Sequence, residues 1–110
     1  MDKKEAARQY KERKIPRGAF ALRCKPTGEV WVDASPNLDA ARNAAWFQLR
    51  LNSHRHKGLQ AQWNAHGEQA FEFEILETLD EDVAQLILRD LLKEKKRHWA
   101  SQLGATAIEP

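Results

Sequence analysis

The sequence holds one cysteine, Cys24. A single thiol excludes an internal disulfide and leaves no cysteine framework for structural zinc. Nor is Cys24 read as a nucleophile: it falls in an apolar strand pattern with no histidine fixed beside it, which suits a buried strand residue. No apolar run approaches the ~18 residues that cross a membrane. The opening MDKKEAARQYKERK lacks the apolar core of a signal peptide, so a cytoplasmic protein is the expectation. No segment repeats, and no linker divides the chain. What is present is enough for one modest core: 110 residues, 42% of them hydrophobic, with four tryptophans.

The net charge of +2 conceals an asymmetry. Residues 1–25 carry nine Lys/Arg against three acids, whereas residues 71–92 carry seven acids and one arginine. A basic N-terminal arm attracts phosphates. It is equally a solvated surface, and Asp/Glu at a helix start suit the helix dipole.

Periodicity orders the elements. Residues 2–13 are helix formers with few apolar positions, which predicts a surface helix or frayed arm ended by Pro16. GAFALRC (18–24) and EVWVDA (29–34) read as strands, and KPTG between them as the turn of a hairpin. Asn37 or Asp39 caps a helix running to about Leu51. After the polar NSHRHKG, Leu59, Trp63 and His66 space one face of a short helix ended by Gly67. Phe71, Phe73 and Ile75 alternate with Glu72 and Glu74 in a third strand. Asp80 is the expected cap of a last helix whose stripe is Val83, Ile87, Leu88, Leu91, Leu92, Trp99 and Leu103. The expected fold is one small α/β domain over 15–110, a three-stranded antiparallel sheet flanked by helices, with residues 1–14 as a basic helix or arm. Its predicted core is Phe20, Leu22, Val30, Val32, Leu38, Leu49, Leu59, Trp63, Phe71, Phe73, Ile75, Ile87, Leu91 and Trp99.

This order of elements and residues resembles the GIY-YIG nuclease family. GAF (18–20) stands where the family has Gly-Ile-Tyr, and WVD (31–33) where it has Tyr-Ile-Gly. SPNL leads into a helix, and H…LQ…WN…HG…F.FEILE resembles the downstream region of the phage homing-endonuclease branch and of small bacterial members. The resemblance covers roughly residues 17–103. It implies a metal-dependent DNA endonuclease with two tyrosines near the reacting phosphate, an arginine on the first core helix, and a metal-binding glutamate on the last helix. Phosphodiester cleavage needs such a set: an activated water, a Lewis acid, and cations on the non-bridging oxygens.

Carried over residue by residue, that set is nearly gone. Phe20 replaces the first tyrosine and has no hydroxyl. Trp31 replaces the second, and an indole N–H donates but is no base. Asp33 stands for the motif glycine. The arginine position is Ala41, and the His or Tyr one turn later is Ala45. The glutamate position, three residues before Trp99, is Lys96. The late asparagine of some members has no counterpart in GATAIEP. Helical spacing turns Ala41, Ala45 and Lys96 inward, toward the sheet. Lys96 reads either as a lysine that snorkels out past Trp99 or as a phosphate-binding cation in an old cleft.

Other constellations are weaker. His54, His56 and His66 lack a carboxylate at helical spacing, so a loop or capping role for His54 is the plainer reading than a metal site. Trp46, Trp63 and Trp99 sit at core spacing. Lys11, Arg13, Lys14, Arg17, Arg42, Arg50, Arg55, Lys57 and Lys96 are the candidates for nucleic-acid contact, against solvated surface. Three readings stand. The first is a catalytically degenerate domain that binds DNA or RNA through a basic face, with no metal and no cofactor. The second is an active nuclease with relocated groups, Arg42 and Glu94, which would require Mg²⁺ or Mn²⁺. The third is a protein-interaction module. No membrane partner is implied, and no protein partner is named by the residues.

Overall fold

The strands GAFALRC and VWVDAS pair because each places branched or aromatic side chains at alternating positions. In the computed structural model, which describes residues 15–109, they form the hairpin β1 (Gly18–Cys24) and β2 (Val30–Ser35). Its turn closes through Gly28 N–H to the Cys24 carbonyl at 2.8 Å and Cys24 N–H to the Glu29 carbonyl at 2.9 Å. The expected N-terminal helix over 2–13, and with it Lys11, Arg13 and Lys14, lies outside the described residues. Helix α1 (Leu38–Arg50) starts at Asn37, whose side-chain oxygen accepts from Ala40 N–H at 3.0 Å, so of the two capping candidates Asn37 is used.

Helix α2 (Lys57–His66) begins earlier than the apolar spacing suggests, because His56 caps it: His56 Nδ1 accepts from Leu59 N–H at 3.1 Å. It ends at Gly67, whose φ of 86° is open to a residue without a Cβ, with its N–H on the Trp63 carbonyl at 2.8 Å. One 3₁₀ turn, Glu68–Ala70, then leads into β3 (Phe71–Thr78). The LQ…WN segment has a packing role. Gln60 is buried, donates to the Leu49 carbonyl and Asn64 Oδ1 (both 3.0 Å), and accepts from His54 N–H at 3.0 Å. It ties the 51–56 loop to α2.

Helix α3 (Gln85–Leu103) does not start at Asp80. Asp80 instead closes a local turn onto Asp82 N–H at 3.0 Å. The cause is tertiary: the Arg17 guanidinium takes the carbonyls of Asp80, Glu81 and Val83 at 3.0, 2.7 and 3.1 Å. The Asp80 carbonyl also accepts from Val83 N–H at 3.1 Å, so the segment closes as an isolated turn clamped by Arg17 rather than as the first turn of the helix. The buried stripe of α3 is accordingly Leu88, Leu92, Lys96 and Ala100. Ile87, predicted in the core, is exposed, and Leu91 and Trp99 are half-buried. Ile75 is exposed as well, and Val30 and Phe73 are half-buried.

The three antiparallel strands of the expectation are joined by a fourth. The sheet order is β3-β1-β2-β4, where β4 (Thr106–Ala107) runs parallel to β2. Its two residues carry no periodicity to read. Gly18 holds β1 close to β3: a Cβ there would lie 1.9 Å from the Glu77 carbonyl oxygen, so only glycine fits. Alternate residues of β1 serve opposite faces. Phe20, Leu22 and Cys24 join the core under α1 and α2, and Ala21 packs with Val32 and Ala100 under α3.

Candidate functional site

Four of the positions compared above, Phe20, Asp33, Ala41 and Ala45, come together at the C-terminal end of β2. Phe20 is buried and stacks on Phe73 with ring centroids 4.8 Å apart. Ala41 and Ala45 come one helical turn apart on α1. With Phe20, Leu22, Asp33, Gln48, His54 and Arg55 they line a cavity of about 240 Å³. Trp31 does not line it. It is turned into the core beside Phe71, centroids 6.2 Å apart. The Phe and Trp at the tyrosine positions are therefore packing residues.

Lys96 reaches this end of β2 from the opposite face of the sheet. β4 covers β2 only at Trp31 and Val32, so the edge at Asp33 is open. The Lys96 side chain passes there and stays buried, 8% exposed, rather than snorkelling. Its Nζ donates to the Ile108 carbonyl at 2.9 Å and to Glu109 Oε2 at 3.3 Å, and lies 4.0 Å from Asp33 Oδ1. Asp33 is tied on both oxygens: Oδ1 accepts from Ala34 N–H at 2.8 Å, and Oδ2 from the Arg55 guanidinium at 2.9 Å. Arg55 also donates to the Glu109 carbonyl at 3.2 Å. Burial pushes the Asp33 carboxyl above its ordinary range, against the lowering effects of the Ala34 amide, Lys96 and Arg55. Among the described residues no buried side-chain polar atom in the cluster lacks a partner.

These residues do not fit a divalent metal. An ammonium spends its three protons as donors and offers no lone pair. Two unit charges of like sign repel by roughly 4 kcal/mol at about 4 Å and an effective dielectric near 20, and a divalent ion doubles that. Among the described residues, no group of three His, Cys, Asp or Glu side chains could hold a metal. The histidines are occupied otherwise. His54 Nδ1 accepts from His56 N–H at 3.0 Å, His56 Nδ1 caps α2, and His66 is exposed at the far end of that helix. Burial, reinforced by the Arg55 and His56 charges, lowers the His54 pKa to about 4. The ring is neutral at pH 7 and carries its proton on Nε2, since Nδ1 is an acceptor.

The other basic candidates are scattered. Arg17 clamps the 80–83 loop, and Arg50 forms a bidentate pair with Glu68 at 2.6 and 2.8 Å. Arg42 is exposed beside Trp46 and Phe73, in a groove away from the Lys96 cluster. Lys57 is exposed at the start of α2, and Glu94 is exposed on α3. Of the tryptophans, Trp63 is buried, Trp46 half-buried against it, and Trp99 donates to Glu77 Oε1 at 2.9 Å. Two cations stand outside the candidate set. Arg89 and Lys93 stand one turn apart on α3 and share with Lys96 a second cavity of about 340 Å³, floored by Ala34, Leu88 and Leu92. Their spacing with Arg97, every fourth residue, was the available signal.

No protein-family model and no curated protein matches the chain. Solved structures do. The catalytic domain of the homing endonuclease I-TevI matches with a TM-score of 0.71 at 22% identity, over 86% of this chain and 99% of that one. A second structure, an alanine mutant of the catalytic domain of intron endonuclease I-TevI, matches with a TM-score of 0.70 at 22% identity, over 82% and 86% of the two chains. At this identity the likeness is one of fold, and the fold of residues 15–109 is that of a GIY-YIG endonuclease catalytic domain.

Proposed function

We propose that this chain is a GIY-YIG-like domain that has lost phosphodiester cleavage and binds DNA or RNA through a basic face. One observation carries the reading: in a nuclease fold, the position implied for the metal-binding glutamate holds the Lys96 ammonium, already bonded to Ile108 and Glu109. The losses around it compound. Phe20 and Trp31 supply no phenolic hydroxyl, and Ala41 supplies no cation for the transition state. A single missing group of that kind costs ~10²–10³ in rate, and several acting on one transition state leave little activity.

The relocated-site reading has less support. Arg42 opens on a separate groove and Glu94 faces solvent, so the two are not brought to the Asp33–Lys96 cluster. For binding, Arg89, Lys93 and Lys96 line one cavity, and Arg55 lies across Asp33 from Lys96. Arg55, Arg89 and Lys93, with Lys57 and the basic arm at Lys11, Arg13 and Lys14, form the proposed contact surface, while the Lys96 ammonium stays bonded to Ile108 and Glu109. Among the described residues no helix is long and apolar enough to cross a membrane.

The test has two arms. Low-salt titration of labelled DNA and RNA should give binding that weakens with salt, with a log–log slope growing by ~0.7–0.9 per phosphate contacted. Deleting residues 1–14 should flatten that slope. Incubation of supercoiled DNA or structured RNA with Mg²⁺ or Mn²⁺ should give no nicking above buffer. Cleavage that disappears in Arg42→Ala or Glu94→Gln would restore the active-nuclease reading. Absence of any salt-dependent binding would favour the protein-interaction module.

A further inference from the structure

Strand β3 ends the sheet: it pairs with β1 on one side, and the other side has no strand among the described residues. Such an edge presents a row of unpaired N–H and C=O groups, a template for one more strand. Beside it, α1 and β3 enclose a groove of about 620 Å³ lined by Arg42, Trp46, Phe71 and Phe73 along with Glu72 and Glu74. Its floor is aromatic. Trp46 meets Phe73 edge-on with centroids 6.3 Å apart, and Ile75, further along the strand, is 46% exposed. Arg42 has no side-chain partner among the described residues. The opposite face of β3 is acidic: the Glu72 and Glu74 side chains are 58% and 49% exposed, with Lys25 at 3.8 Å and Arg23 at 2.5 Å as their partners.

We propose that the β3 edge is a docking site for an extended polypeptide segment in which apolar residues alternate with lysine or arginine. A strand added to an edge sends successive side chains to opposite faces of the sheet. One set would enter the groove over Phe73 and Trp46. The other would lie beside Glu72 and Glu74. Main-chain hydrogen bonds supply affinity and the alternating pockets supply selectivity, as in other strand-addition sites. The charge pattern chooses among occupants. Glu72 and Glu74, on the face behind the groove and partly offset by Lys25 and Arg23, disfavour phosphates along this edge. A second copy of this chain, paired antiparallel on its own β3, would bring glutamates opposite glutamates, which is unfavourable. An alternating basic segment meets neither objection. This inference is independent of whether the basic face binds nucleic acid.

Fluorescence anisotropy of the full chain with a labelled peptide tests it. The probe alternates valine with lysine over about seven residues, near the usual strand length. Two control peptides carry glutamate in place of lysine, or N-methyl groups on alternate amides, which remove the edge hydrogen bonds. The expected result is binding that weakens about tenfold or more with either control. The exposed double variant Glu72→Lys/Glu74→Lys, shown folded by circular dichroism, should reverse the preference toward the glutamate peptide. Equal binding of the N-methylated peptide would overturn strand addition. An unchanged preference in the charge-reversed variant would overturn the role of Glu72 and Glu74. Displacement of the peptide by oligothymidylate would assign the groove to nucleic acid instead. A dimer in sedimentation, together with no binding of the valine–lysine peptide, would assign the edge to a second copy.

Discussion

The two faces of the sheet are built from different material. Under α1 and α2 lie Phe20, Leu22, Trp31, Leu38, Leu49, Leu59, Trp63 and Phe71, all buried. Under α3 the sheet's own buried residues are small, Ala21 and Val32; the helix adds Leu88, Leu92 and Ala100, while Trp99 and Leu103 are only half-covered. Polar pairs supplement that second face. Trp99 and Lys95 both bond Glu77, and Lys96 is pinned by Ile108 and Glu109. Lys95 first, and then Trp99, hold the Glu77 carboxyl below its ordinary range. The difference teaches a division of labour. The α1–α2 face is held chiefly by apolar area, ~25 cal/mol per Å² removed from water. On the α3 face, directional bonds fix where the helix sits, and so where Lys96 ends.

The largest break in this comparison is Trp63→Ala. The indole is buried and touches Trp46 and Phe71 at centroid distances of 5.6 and 5.3 Å, so its loss should cost ~3–5 kcal/mol in urea denaturation. Trp99→Ala, on the half-covered face, should cost clearly less. Equal penalties would erase the distinction between the faces. A middle-sized effect belongs to Lys96→Met, which keeps the volume and removes the ammonium. It leaves the Ile108 carbonyl without its donor, at about 1–3 kcal/mol. Asp33 keeps Arg55 and the Ala34 amide, which limits the damage. Lys96→Glu should be worse than Lys96→Met, because it sets a new carboxylate beside Asp33 and Glu109. A stable Lys96→Glu variant that binds Mg²⁺ tightly would contradict the account of this cluster.

The same contrast explains what the sequence reveals. Local rules suffice where a segment's own residues decide its structure. The Phe20–Trp31 hairpin, the Asn37 cap and the Phe71–Phe73 alternation are of that kind. They fail where a distant group decides. α3 starts late because Arg17 holds the 80–83 carbonyls, and no pattern within 80–92 reports that. β4 exists because Val32 offers its carbonyl to Ile108 N–H, and two residues show no period. At the site, Lys96 stood out by type alone. Its partners could not be read, because Asp33, Arg55 and Glu109 come from three other segments. Arg17 and Arg50, read from the sequence as either phosphate contacts or solvated surface, bond a carbonyl cluster and Glu68, partners that lie far along the chain.

The smallest effect tests the loop that joins the cavity to α2. His54 is half-buried, and its pKa of about 4 in the folded chain lies below the ordinary 6.5. The folded state prefers the neutral ring, because Nδ1 accepts from His56 N–H and because burial and the Arg55 and His56 charges oppose protonation. The unfolded chain therefore binds the proton first as pH falls. By linkage, the stability His54 contributes is fully present above about pH 6.5 and is lost as pH drops toward about 4. Glu77 and Glu68 carry lowered pKa values, so their contributions fade only below the ordinary carboxylate range. Asp33 runs the other way: its raised pKa makes the folded state less unfavourable for it as pH falls. Between pH 6.5 and about 5, His54 should thus dominate the slope among these groups. Urea midpoints at pH 7 and about pH 5 should differ in the wild type and converge in His54→Asn, whose side-chain oxygen can still accept from a backbone N–H but does not titrate. Solvent at the half-exposed ring screens the effect, so it should fall below that of Lys96→Met. Parallel pH slopes in both proteins would mean that the ring is protonated within the fold and that the loop is held by something other than a neutral imidazole.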